Sequence, residues 1–89
     1  MQQRDFVIEN RVGLHARPAA ACVQVANKFK SSIVVTRDGK SVSAKSILGV
    51  LSLGAEKGMK ISVAVEGEDE QEAMSAFSRL VADGFGDEE

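Results

Sequence analysis

The sequence predicts an α+β fold in which three helices lie on one face of a single four-stranded antiparallel sheet. Three observations carry this expectation. Residues 60–66 alternate cleanly, with Ile61, Val63 and Val65 inward and Ser62, Ala64 and Glu66 outward, the period of a half-buried strand. Two other stretches, one after His15 and one after Asp69, repeat apolar residues at helical spacing. The segments run in the order β-α-β-β-α-β-α, and helices with one apolar face each pack most simply as one layer on one sheet.

The first strand is expected over residues 5–9, with Phe6 and Ile8 on one face. Residues 10–14 form a loop containing Gly13. A helix follows from about residue 16 to 28, with Ala19, Val23 and Ala26 on its apolar stripe. Pro18 fits only in the first turn, where a missing N–H costs nothing, so His15 falls at or next to the N-cap. Residues 33–37 read as a strand. Asp38-Gly39 is a two-residue hairpin signal, because Gly supplies the positive φ of a type I′ turn. The partner strand spans residues 40–43.

A short helix is expected over residues 46–53, with Ser46 as N-cap. Gly54 and Gly58 bracket a turn before the strand at 60–66. Gly67 breaks that strand. Asp69 is expected to cap the last helix, with Glu72 as its capping-box partner. The stripe of this helix is Ala73, Met74, Phe77, Leu80 and Val81. Residues 83–89 hold two glycines and an acidic end, and are expected to fray.

With 89 residues the chain is expected to form one domain. A domain of this size buries only about two-thirds of its unfolded surface, so a shallow surface site is expected rather than a deep cavity. No apolar run is long enough to span a bilayer, and the first residues lack a signal-peptide core. Cys22 is the single cysteine, so no internal disulfide can form and a reducing, cytoplasmic setting is expected. A net charge of −2 argues against a nucleic-acid binder, which usually carries a basic surplus. The aromatics are four scattered phenylalanines, Phe6, Phe29, Phe77 and Phe85, which leaves little for base stacking.

Gly13-Leu14-His15-Ala16-Arg17-Pro18 is the most unusual stretch. Gly13 allows a sharp turn. His15 then sits where the N–H groups of a first helical turn point outward and, with the helix dipole, favour an anion. Arg17 can offer phosphate oxygens a bidentate fork. A neutral imidazole nitrogen is a nucleophile near neutral pH. Against this, a lone histidine at a helix start is more often a surface or capping residue, and Arg17 alone would be a solvated side chain. On the residues by themselves both readings stand. A metal site is disfavoured, since one His and one Cys fall short of the four ligands of structural zinc. A Cys22–His15 pair is disfavoured too, because about two helical turns, roughly 10 Å, would separate them.

Ser46 also has two readings. As an N-cap it can contribute about 1 kcal/mol and do nothing else. Yet Ile47, Leu48, Val50, Leu51 and Leu53 are many apolar residues for so short a helix. Val50 and Leu53 can face the core while Ile47, Leu48 and Leu51 sit partly outward, as a docking patch would. Core burial of most of them is the competing reading.

The stretch Gly13-Leu14-His15-Ala16-Arg17-Pro18-Ala19-Ala20 resembles the active-site motif of the HPr family, the histidine-containing phosphocarriers of the bacterial phosphoenolpyruvate:sugar phosphotransferase system. Lys45-Ser46-Ile47-Leu48-Gly49-Val50-Leu51-Ser52-Leu53-Gly54 is similar to that family's regulatory serine segment. Asp38-Gly39-Lys40 and Glu66-Gly67-Glu68-Asp69-Glu70 also match at their places. The resemblance covers all but the acidic tail, and two separate motifs at the family spacing make it specific.

The resemblance implies an open-faced β-sandwich with the element order above. It implies a carrier, a protein substrate rather than a turnover enzyme, with no cofactor. Enzyme I would phosphorylate His15 on Nδ1 with phosphoenolpyruvate as the source, and an enzyme IIA domain would receive the group for sugar uptake. Arg17 would steady the phosphoryl group, with the backbone N–H groups of Ala16 and Arg17 completing the cradle. Ser46 would be the target of an ATP-dependent HPr kinase/phosphorylase, as in carbon catabolite regulation. Ile47, Leu48 and Leu51 would contact that kinase and, in some bacteria, a transcriptional regulator. The expected state is a cytoplasmic monomer, with no nucleic acid and no membrane insertion. A nitrogen-related or purely regulatory relay is the alternative within the family.

Overall fold

The computed structural model describes residues 1–9 and 13–86. Its elements run β1 (Gln2–Val7), α1 (Ala16–Ala26), β2 (Ser32–Arg37), β3 (Lys40–Ser43), α2 (Ile47–Ser52), β4 (Lys60–Glu66) and α3 (Glu70–Ala82), closed by a 3-10 turn at Gly84–Gly86. The four strands form one antiparallel sheet in the order β1-β4-β2-β3. The three helices complete the open-faced α+β architecture that the patterning predicts. Residues 10–12 of the expected loop, and 87–89 of the expected tail, lie outside the described residues.

The alternation in β4 sets the register of the sheet. Val63 stands opposite Arg4 on one side and Val35 on the other, and Val65 opposite Gln2 and Ile33. Ile61, Val63, Val65, Ile33 and Val35 are all at most 1% exposed. They meet Ala19, Cys22 and Ala26 of α1, Val50 of α2, and Ala73, Met74 and Phe77 of α3 in one core. The β2–β3 turn has φ 51° at Asp38 and 80° at Gly39, the two left-handed residues of a type I′ hairpin.

Five expectations need correction. β1 covers residues 2–7 rather than 5–9, because pairing with β4 begins at Gln2 opposite Val65 and ends at Val7 opposite Lys60. Ile8 remains fully buried, its N–H on the Met59 carbonyl and its own carbonyl taking the Gly58 N–H. α1 stops at Ala26, where Lys28 and Phe29 donate to carbonyls three residues back, those of Val25 and Ala26; this tighter spacing closes the last turn. On its inner face Cys22 occupies the core position, and Val23 is only half-buried.

The capping box at α3 does not form. Asp69 is the N-cap residue, but its side chain makes no cap hydrogen bond. Its carboxylate instead accepts from Lys30 and Ser31, while Glu70 Oε1 takes the Gly67 N–H at 3.1 Å. The tail is not frayed at its start either. Phe85 is 1% exposed and meets Phe77 edge-on at a centroid distance of 6.5 Å. A buried aromatic ring outweighs two flanking glycines here, because it removes a large apolar area from water.

Candidate functional site

The site is built on the turn into α1. Gly13 has φ 68°, and a Cβ placed there would lie 2.5 Å from the Ala55 carbonyl oxygen and 2.7 Å from Glu56 Cα. Both obstacles are backbone, so only glycine fits. Leu14, 4% exposed, donates its N–H to that same Ala55 carbonyl at 2.9 Å. The chain is thus pinned to the Ala55 backbone at Leu14, and His15 follows as the N-cap of α1.

His15 has the extended backbone of a capping residue, φ −85° and ψ −169°, and its carbonyl accepts the Ala19 N–H at 2.8 Å. Its imidazole makes no cap hydrogen bond and is exposed. The ring therefore stands at the positive end of the helix dipole without being used to hold the helix together. No acidic residue lies in the first turn of α1. Ala16 and Arg17 are exposed beside His15, and Pro18 is buried at the third helical position.

A shallow depression of about 270 Å³ lies against His15, lined by Leu14, His15, Ala16 and Leu51 and walled by residues 54–56. His15 and Ala16 are thereby brought together with Leu51. Arg17 is not part of that lining. A larger groove, about 570 Å³, runs between α1 and α3 past Val25, Lys28 and Arg79 and contains none of the expected site residues. The wall contributed by Gly54, Ala55 and Glu56 was not legible in the sequence beyond the turn signal of Gly54. Its place opposite His15 is a tertiary fact.

Ser46 sits at the N-cap of α2, and its Oγ accepts the Gly49 N–H at 3.1 Å. The residue itself is exposed. The helix presents Ile47 at 41% and Leu48 at 76% exposure, while Val50 and Leu53 are buried. Leu51 is intermediate and packs against the core. α2 packs against α1, so this apolar patch and His15 belong to neighbouring elements.

Cys22 lies inside the core at 1% exposure, and burial pushes its thiol up to about 12. At neutral pH it is a protonated, inert thiol. Among the described residues no group of three or more His, Cys, Asp or Glu is placed to hold a metal ion. Among the same residues no helix is long and apolar enough to cross a membrane.

The chain is similar to known proteins in both sequence and fold. The family model described as the PTS HPr component phosphorylation site matches residues 2–83. Phosphocarrier protein HPr of Cupriavidus necator is 46% identical over 89 residues, covering all of both chains. The HPr-like protein Crh of Halalkalibacterium halodurans is 49% identical over 81 residues, 91% of this chain and 96% of that one. The crystal structure of HPr-C-His from Thermoanaerobacter tengcongensis superposes with a TM-score of 0.94 at 47% identity, covering both chains completely. With its fold and its sequence in agreement, the chain belongs to the HPr family of phosphotransferase-system phosphocarriers.

Proposed function

We propose that this chain accepts a phosphoryl group on Nδ1 of His15 from phosphorylated enzyme I and passes it to enzyme IIA domains. It acts as a single cytoplasmic carrier domain and a monomer, a substrate of both partners rather than a turnover enzyme. The observation that carries this reading is the exposed imidazole at the N-cap of α1, uncommitted to capping, beside a shallow depression. An open site suits a residue that must meet the active centres of two different proteins.

In the transfer, the unprotonated Nδ1 of His15 attacks phosphorus while the ring proton stays on Nε2. A new P–N bond forms as the bond from phosphorus to the donor breaks, and the donor group leaves with that electron pair. The dipole of α1 favours the negative phosphoryl group at its N-terminus. Arg17 supplies a positive charge with donors matched to phosphate oxygens, and the backbone N–H groups of Ala16 and Arg17 complete the cradle. Incubation with enzyme I and phosphoenolpyruvate, followed by mass spectrometry, is expected to place one acid-labile phosphate on His15. Labelling elsewhere, or undiminished labelling of His15→Ala, sinks the assignment.

Ser46 is proposed as a regulatory site for an ATP-dependent kinase, with Ile47, Leu48 and Leu51 as the docking surface for that kinase, the phosphotransferase partners and a transcriptional regulator. Two observations favour it: Ser46 is exposed at a helix N-terminus, and Ile47 and Leu48 are exposed beside it. A phosphate there meets the favourable end of the α2 dipole, so the fold need not change. Its effect would be repulsion at the interface.

A further inference from the structure

Arg37 ends β2 on the same side of the strand as buried Val35. It reaches the far end of α2, where its Nη1 donates to the Leu53 carbonyl at 2.8 Å. Lys40, paired with Arg37 across the hairpin, donates its Nζ to the Ser52 carbonyl at 3.1 Å. Arg37 also lies 3.8 Å from the exposed Asp38 carboxylate. The last carbonyls of a helix lack intrahelical donors and carry the negative end of its dipole. α2 has no basic residue in its own last turn, so the hairpin supplies both cations.

The chain beyond Leu53 leads directly to His15. Gly54 turns with φ 61°. The next carbonyl, that of Ala55, holds the Leu14 N–H and is the group a side chain at Gly13 would strike. Residues 54–56 are also the wall of the depression that His15 lines. One continuous path therefore runs from the Arg37 guanidinium through the Leu53 carbonyl and the Ala55 carbonyl to the Leu14 N–H, one residue before His15. A six-residue helix has little stability of its own; burial of Val50 and Leu53 anchors it, and the Arg37 and Lys40 bonds fix the carbonyls at its end.

We infer that Arg37, assisted by Lys40, is a positioning residue for the chemistry at His15. It fixes the end of α2, and with it the wall on which the turn before His15 rests. The inference rests on the reading of His15 as phosphoryl acceptor. Arg37 is assigned no contact with the phosphoryl group.

The test measures two things on Arg37→Ala, Arg37→Lys and Arg4→Ala: amide hydrogen exchange at Leu14, and kcat and KM for phosphotransfer from enzyme I. Arg4 lies on β1, bonded to Ser78, and controls for loss of a positive charge. For Arg37→Ala, Leu14 exchange is expected to rise several-fold while Val63 exchange stays near wild type, since local opening needs no global unfolding. A loosened acceptor should lower kcat by about 3- to 10-fold with a smaller change in KM. Arg37→Lys should restore most of both, and Arg4→Ala should move neither. If Arg37→Ala is too unstable to assay, Lys40→Met is expected to give the same pattern at smaller size.

Unchanged Leu14 exchange overturns the inference. So does a rise shared equally by Val63, or a defect in KM alone. A wild-type protein that takes no phosphoryl group from enzyme I overturns the functional reading instead, and Leu14 exchange still decides whether Arg37 holds the wall.

Discussion

The carboxylate of Asp69 is bonded to Ser31, 38 residues earlier in the chain. It accepts the Ser31 hydroxyl and N–H, and the Lys30 N–H as well, both N–H groups at 2.9 Å. The contact joins the turn after α1 to the turn before α3. Gly67 belongs to the same junction, since a Cβ there would lie 2.7 Å from Ser31 Cα.

These bonds, the Ser31 hydroxyl first, lower the Asp69 carboxyl to about 2. An unfolded aspartate titrates at about 3.9. The folded value is the lower one, so the stabilisation is fully present above about pH 4 and is lost as pH falls toward about 2. Urea unfolding measured from pH 7 to pH 2 should show stability declining in this window. Ser31→Ala should shrink the decline, and Asp69→Asn should remove the contribution from this carboxyl. An identical pH profile for all three proteins would refute the assignment.

His15→Ala should separate function from folding. The imidazole is exposed and makes no cap hydrogen bond. Labelling by enzyme I and phosphoenolpyruvate should vanish, while unfolding free energy stays within about 0.5 kcal/mol, as for a surface substitution without a structural role. Circular dichroism and urea titration check the second half.

Ser46 offers a graded comparison. Ser46→Ala removes the acceptor for the Gly49 N–H and should cost about 1 kcal/mol. Ser46→Asp keeps a capping oxygen and adds charge at the favourable end of the helix, so thermal stability should stay near wild type. Transfer from enzyme I to Ser46→Asp should nonetheless slow. Wild-type kinetics in that variant would count against a regulatory role.

Phe85→Ala tests the order of the segment after α3. The ring is buried against Phe77, and its truncation should cost about 3 kcal/mol or more, read from the urea midpoint. A near-zero cost would mean that the ring is not part of the core in solution.

Much of the site was legible in the sequence because it is local. The His15 and Ser46 N-caps, the Asp38-Gly39 turn and the alternation of β4 each depend on residues within four positions of one another. Hydrogen-bond reach and side-chain periodicity within one element determine them. What tertiary structure decided are the contacts that compete with local ones. Asp69 could have capped its own helix with Glu72, but three donors from residues 30–31 outbid the single cap bond. The segment at Gly84–Gly86 looked frayed by composition, and burial of one ring orders it. Gly13 announced a turn, yet the reason it must be glycine is the backbone of Ala55 and Glu56, over 40 residues away. His15 could be named from its neighbours in sequence; the wall it faces, and the Arg37 that holds the wall, exist only once the hairpin, α2 and the turn into α1 have packed together.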